Sequence, residues 1–276
     1  MRVYLLTNLK KPLHTTIPFS LERKQIVDFL SVGKSRHTAS AIVEIDITGI
    51  RDQLREAKKK LKVTASLTGY LIHCYAKAVS ADKRMQAFRK GNKLVIFDDI
   101  DIATMIERTV NGEQVPVGYV IRKADTKSIF EISEELKIAK EKQSTELVDG
   151  EDALPNGTLI KLVKRIGFIR RWFIRKIFSD PFLKKRINGT IGFSSMGMFS
   201  YNTAGWIVPI TPQVLTVMIG GIRKLPALEQ GQIVEKETVC ITIAMDHDIL
   251  DGAQTARFIE RFRKNISSGI SDETYS

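Results

Sequence analysis

Residues 244–253 read Ala244-Met245-Asp246-His247-Asp248-Ile249-Leu250-Asp251-Gly252-Ala253. Just upstream, Val239, Ile241, Thr242 and Ile243 are β-branched, so the stretch begins as a strand. Downstream, the spacing predicts a helix over 252–265, with Asp251 placed to cap its first free N–H groups. His247 therefore stands between a strand end and a helix start, fixed in orientation and open to a cleft. An imidazole held in that way suits a general base, its ordinary pKa being about 6.5. A loop histidine solvated between Asp246 and Asp248 fits the same spacing, which leaves both readings open.

Little else in the chain competes for chemistry. The other histidines are His14, His37 and His73, and no pair has metal-ligand spacing. His14 falls in an N-terminal segment and His73 on an apolar helix, so both read as structural. The two cysteines, Cys74 and Cys240, sit in apolar stretches without a CxxC spacing, which argues against a zinc site or redox dithiol. No metal is expected. With 276 residues, 43% of them hydrophobic, the chain can bury a sizeable core.

Working back from the His247 strand, strand patterns cover 189–193, 206–210, 214–220 and 237–244. Earlier, residues 41–47 alternate with period two, and strand-like runs fall at 93–97, 99–106 and 115–121, with Asn111-Gly112 as a hairpin turn. Helical patterns cover 22–29 after Ser20, 50–62 after Thr48, 67–81 and 128–142, while 143–155 reads as an exposed loop. Runs of strands separated by helices indicate an α+β sandwich, and no glycine-rich phosphate loop follows any strand. Residues 1–276 read as a single catalytic domain.

The 244–253 stretch resembles the HxxxDG signature shared by chloramphenicol acetyltransferases and the catalytic domains of dihydrolipoyl (2-oxo acid dehydrogenase) acyltransferases. Gly189-Thr190-Ile191-Gly192-Phe193-Ser194-Ser195-Met196-Gly197 resembles the strand carrying the oxyanion-stabilising hydroxyl in those enzymes, and Pro212-Gln213 follows as it does in the dihydrolipoyl group. The resemblance covers roughly residues 20–266. It implies a chloramphenicol acetyltransferase-like two-layer sandwich, a mixed β-sheet with helices on one face, assembled as a homotrimer with active sites between subunits. It further implies acyl transfer between a thioester, acyl-CoA, and an acceptor thiol or hydroxyl. His247 would be the general base and Ser194 the oxyanion donor, with Ser195 the alternative if the register moves by one. Asp251 would hold the histidine loop. The acyl donor would be acyl-CoA or a lipoyl- or carrier-bound acyl group. A non-catalytic trimeric scaffold and a condensation-type enzyme on carrier-bound acyl chains are the rival readings.

Three features depart from the pattern. Asp248 stands where the dihydrolipoyl enzymes carry Arg, placing an extra negative charge beside the base. No lipoyl domain precedes the catalytic region, so no covalent lipoyl is expected in this chain, and the polar 267–276 tail predicts assembly that stops at the trimer. Finally, a basic amphipathic insertion occupies about 154–187. Of the net charge of +12, +9 lies between Lys161 and Arg186. On a helix, Leu162, Ile166, Ile169, Phe173 and Ile177 form an apolar stripe beside a row holding Phe168, Trp172 and Lys176. Residues 160–178 could pack within the trimer, lie on an anionic membrane surface, or form a basic wall for phosphates. Nucleic acid is not expected, because the patch is too apolar. The expected location is cytoplasmic, with membrane attachment through that segment at most peripheral.

Overall fold

The computed structural model describes residues 13–110, 113–142, 148–149, 167–196 and 205–270. The strands, in chain order, are β1 (Thr38–Asp46), β2 (Phe88–Lys90), β3 (Lys93–Val95), β4 (Ile102–Val110), β5 (Glu113–Ile121), β6 (Val148–Asp149), β7 (Ile191–Ser195), β8 (Leu215–Glu229) and β9 (Gln232–Asp246). β2 and β3 form a small separate pair. The others make one sheet in the order β1-β9-β8-β7-β4-β5-β6. β7 runs parallel to both β4 and β8, while β1–β9, β8–β9 and β4–β5 are antiparallel.

The helices are α1 (Leu21–Lys34), α2 (Ile50–Leu61), α3 (Leu67–Ser80), α4 (Ile129–Glu141), α5 (Gly167–Ser179), α6 (Pro181–Asn188) and α7 (Gly252–Ser267). α2, α3, α4 and α7 cover one face of the sheet, and α3 is buried along most of its length. At the centre, the Tyr75 ring of α3 lies 6.4 Å from Phe193 of β7 and 5.8 Å from both Phe258 and Phe262 of α7. Burial of these large rings is the main favourable term. α1, α5 and α6 form a second group, and α6 reaches β2 and β5. The α+β sandwich read from the sequence is the architecture observed.

The long β8–β9 hairpin turns at Gln230 and Gly231, both with positive φ (50° and 81°), as a two-residue turn between twisted strands requires. Gly220 interrupts the β8–β9 register, and a Cβ there would lie 2.1 Å from the Gly205 carbonyl oxygen. That close approach explains one departure from the sequence reading: 206–210 is not a strand but an irregular segment crossing the sheet. Its Trp206 Nε1–H donates to the Val43 carbonyl at 3.1 Å.

Other expectations change in detail. Thr48 does not cap α2, whose N-cap is Gly49 in the left-handed region; the Thr48 hydroxyl instead accepts the Glu237 N–H at 3.0 Å. The strand expected at 99–106 begins at Ile102, because the Asp101 backbone is diverted to Thr190: its N–H donates to the Thr190 hydroxyl at 3.1 Å and its carbonyl accepts the Thr190 N–H at 2.7 Å. Within the expected 143–155 loop, Val148 and Asp149 pair beside β5. The Asn111-Gly112 turn, the rest of that loop, 160–166 and the 271–276 tail end lie outside the described residues. Ser20 caps α1 as expected, accepting the Arg23 N–H at 3.2 Å.

Candidate active site

His247 is the first residue after β9. Its N–H donates to the His37 carbonyl at 2.9 Å, which extends the β1–β9 ladder one rung past Thr38 and Asp246. The turn that follows is wound on Asp246. The buried Asp246 carboxylate pairs with Arg36 and accepts the Asp248 N–H at 3.2 Å. Its carbonyl accepts the N–H groups of Ile249 at 3.1 Å and Leu250 at 3.0 Å, and its own N–H donates to Val214 at 2.8 Å. Four residues past His247, the Asp251 carboxylate accepts the Gln254 N–H at 2.7 Å, and the Gln254 side chain accepts the Asp251 N–H at 3.2 Å. This capping box starts α7 beside the dipole's positive end. His247 is thereby fixed at its backbone on both sides while its ring stays exposed.

Asp248 makes its side-chain contact across the turn, with the residue just before β1. Its carboxylate meets His37 Nδ1 at 2.8 Å. That hydrogen bond and charge hold the His37 imidazole above its ordinary value and Asp248 below the usual carboxylate range. Arg36, His37 and Asp246 were not singled out by sequence reading, for the contacts join residues about 210 positions apart. The adjacent Arg36-His37 pair ahead of an alternating strand was the one local signal.

Ser194 and Ser195 end β7 and are half-buried. Phe193 points to Tyr75 on the helix side, so Ser195, two residues on, shares that side. Ser194 shares the opposite side with Gly192, where a Cβ would lie 2.7 Å from the Thr216 hydroxyl. Ser194 pairs with Met218, and Met218 with Thr242, five residues before His247. Two strand spacings of about 4.8 Å and five rises of about 3.3 Å put Ser194 and His247 on the order of 15–20 Å apart in one chain. Asp251 lies near His247 in sequence, and Ser194 of the same chain does not join them.

The remaining candidates are structural. His73 is buried with Nδ1 3.0 Å from the Lys127 carbonyl, and burial lowers its pKa, which favours the neutral ring. Burial pushes the Cys74 thiol up to about 12, too high for a thiolate nucleophile. Pro212 and Gln213 tie α6 to the start of β8: the Pro212 carbonyl accepts from the buried Lys184 ammonium at 2.7 Å, and Gln213 Nε2 donates to Asn188 at 2.5 Å. Among the described residues, no cluster of His, Cys, Asp and Glu could hold a metal ion.

α5 and most of α6 fall within the described part of the basic segment. The inner face of α5 holds Arg170, paired with Asp28 of α1 at 2.6 Å, the buried Ile177, and Phe178 against Phe29 at 5.5 Å. Phe168 and Trp172 face outward, 70% and 65% exposed, beside the exposed Arg171, Arg175 and Lys176. Of the expected apolar stripe, Ile177 is buried and Ile169 and Phe173 are half-buried; Leu162 and Ile166 lie outside the described residues.

The fold is one already met in solved proteins. The family model for 2-oxoacid dehydrogenases acyltransferase (catalytic domain) matches residues 11–158 and 184–270, and the chain belongs to that family. A Listeria monocytogenes structure described as a probable dihydrolipoamide acetyltransferase superposes with TM-score 0.67 at 20% identity, covering 94% of this chain and 97% of that one. The cubic core of a pyruvate dehydrogenase multienzyme complex superposes with TM-score 0.67 at 17% identity, covering 92% and 91% of the two chains. Among curated proteins, the lipoamide acyltransferase component of the Bacillus subtilis branched-chain alpha-keto acid dehydrogenase complex is 24% identical, covering 94% of this chain and 53% of that protein. The Rickettsia prowazekii dihydrolipoyllysine-residue acetyltransferase component of the pyruvate dehydrogenase complex is 23% identical over 80% of this chain and 45% of that protein. The chain thus spans about half the length of the curated relatives it matches.

Proposed function

We propose that this chain is an acyltransferase that exchanges an acyl group between acyl-CoA and an acceptor thiol, with His247 as general base. The observation that carries the reading is the His247 turn. An exposed imidazole is held between a ladder hydrogen bond and a capped helix, in the stretch that resembles the HxxxDG signature. The curated relatives are named for lipoamide or dihydrolipoyllysine chemistry, which favours a dihydrolipoyl thiol as acceptor.

In the reaction, His247 takes the proton of the attacking thiol, and the thiolate sulfur adds to the thioester carbonyl. The Ser194 hydroxyl donates a hydrogen bond to the oxyanion of the tetrahedral intermediate and keeps its proton. Collapse breaks the carbon–sulfur bond to coenzyme A, whose thiolate recovers the proton from the imidazolium. Asp251 supports the turn and takes no proton. Because Ser194 and His247 of one chain stand far apart, each site takes its histidine from one subunit and its serine from the next in a homotrimer. The exposed Ile42 and Met105 on the sheet face opposite the core helices, with Val208 and Ile210 also exposed, give such neighbours apolar surface to cover.

The test is a panel of acyl-CoAs incubated with dihydrolipoamide, following free coenzyme A by chromatography. At least one acyl-CoA is expected to turn over, and His247→Ala should lose at least about 100-fold, the scale of one positioned base. Absence of turnover across the panel, or an unimpaired variant, overturns the reading and favours a non-catalytic scaffold.

A second reading concerns location and rests on α5. Its outward Phe168 and Trp172 beside three exposed cations suit an anionic membrane surface, so the protein would work in the cytoplasm against the membrane face. Among the described residues, no helix is long and apolar enough to cross a membrane.

A further inference from the structure

We propose that His37 is a positioning residue of this site: clamped by Asp248, it holds the turn that carries His247 and sets a second imidazole beside the base. The inference rests on the reading of His247 as base. The geometry has two parts. The His247 N–H donates to the His37 carbonyl at 2.9 Å, so the two histidines oppose each other on adjacent strands. Residues so placed carry Cβ atoms about 5 Å apart on the same side of the ladder. The second part is the His37 Nδ1–Asp248 Oδ1 contact of 2.8 Å, which joins the residue after the base to the strand before it. The contact bridges the turn from its open side, and the Arg36–Asp246 pair closes it from the buried side.

The charges around the clamp are few. His37 faces Asp248 and, more weakly, Asp246. Asp248 is faced by His37, by Arg89 of β2 and by Arg36 ahead of β1. The buried Lys184 of α6 lies near Arg36 and Asp246, and burial holds its amine well below the ordinary lysine value. Asp248 raises the His37 pKa, so the clamp's contribution is complete below the ordinary imidazole value and is lost as pH rises through the raised one. Asp248 itself is lowered, so its contribution is present above the ordinary carboxylate value and is lost as pH falls through the lowered one. The clamp is closed between these limits and opens on the alkaline side.

This differs from a merely structural contact in what it moves. A structural pair changes melting temperature alone. A positioning pair changes the alkaline limb of the rate profile, because opening the clamp frees the turn that aims His247. Glutamine at 37 can still donate to Asp248 without titrating, whereas alanine cannot donate at all.

The test uses the full-length protein with labelled histidine, whose four resonances are assigned by His→Gln variants, together with kcat profiles for the acyl-CoA that turns over. The His37 resonance should titrate above the ordinary value in the wild type and fall back toward it in Asp248→Asn. His37→Ala should lose up to about 100-fold in kcat, as a displaced reacting group does, with KM nearly unchanged. His37→Gln should recover most of that kcat and flatten the alkaline limb relative to the wild type. An unmoved His37 titration in Asp248→Asn, or identical rate profiles for His37→Gln and the wild type, overturns the inference. His247→Ala separates the two claims. A fully active His247→Ala overturns the base assignment, whereas an inert His247→Ala together with a His37→Gln variant whose profile matches the wild type overturns only the role of His37.

Discussion

Ser194 and Ser195 adjoin in the chain and differ in the face they serve. Strand alternation sends Ser195 toward the helix layer with Phe193, and Ser194 toward the opposite face with Gly192. A donor to an oxyanion must reach substrate, and the helix side is filled by Tyr75, Phe258 and Phe262. Ser194→Ala should therefore lower kcat by roughly 100-fold with little change in KM, the loss expected when one preorganised donor is removed. Ser195→Ala should cost a few-fold at most. Steady-state kinetics on the two variants would show it, and an inverted order would move the oxyanion donor to Ser195. At this scale the sequence offered His247, Ser194 and Asp251 as candidates, because each belongs to a motif of neighbouring residues. Arg36, His37 and Asp246 could not be paired from it, since the fold alone brings positions 36 and 37 against 246 and 248.

Among elements, those whose signals are local matched the sequence reading. α4 begins where Ser128 and Glu131 form a capping box, with Glu131 accepting the Ser128 N–H at 2.7 Å. α3 and α7 likewise follow their periodicity and caps. The failures are tertiary: the 206–210 run is apolar, yet Gly205 and Trp206 bind it across the sheet, and Thr48 gives its oxygen to a strand 189 residues away. α5 shows both effects. Its helical periodicity was legible, but which face turns outward is fixed by the buried Arg170–Asp28 pair. With Phe168, Trp172 and three cations outward, the protein should bind vesicles of anionic lipid and ignore neutral ones, and the binding should weaken with salt. Co-sedimentation checks this. Trp172→Ala with Arg171→Glu and Arg175→Glu should abolish sedimentation, and binding unchanged by those substitutions would exclude α5 as the contact.

On the scale of the whole molecule, the sheet register sets how far apart the two candidate residues of one chain lie. β7 and β9 are separated by β8, and Ser194 lies five rungs down the ladder from His247, so no side-chain motion within one chain joins them. The central claim is that acyl transfer occurs where the histidine of one subunit meets the serine of another. Co-expression of His247→Ala with Ser194→Ala chains, carrying different tags and purified as mixed oligomers, tests this most directly. Each variant alone should be nearly inactive toward acyl-CoA. In every mixed trimer one of the three sites between subunits would combine an intact histidine with an intact serine, restoring about one third of wild-type turnover. Recovery near one third is the predicted result, and mixed oligomers no more active than the separate variants would contradict it.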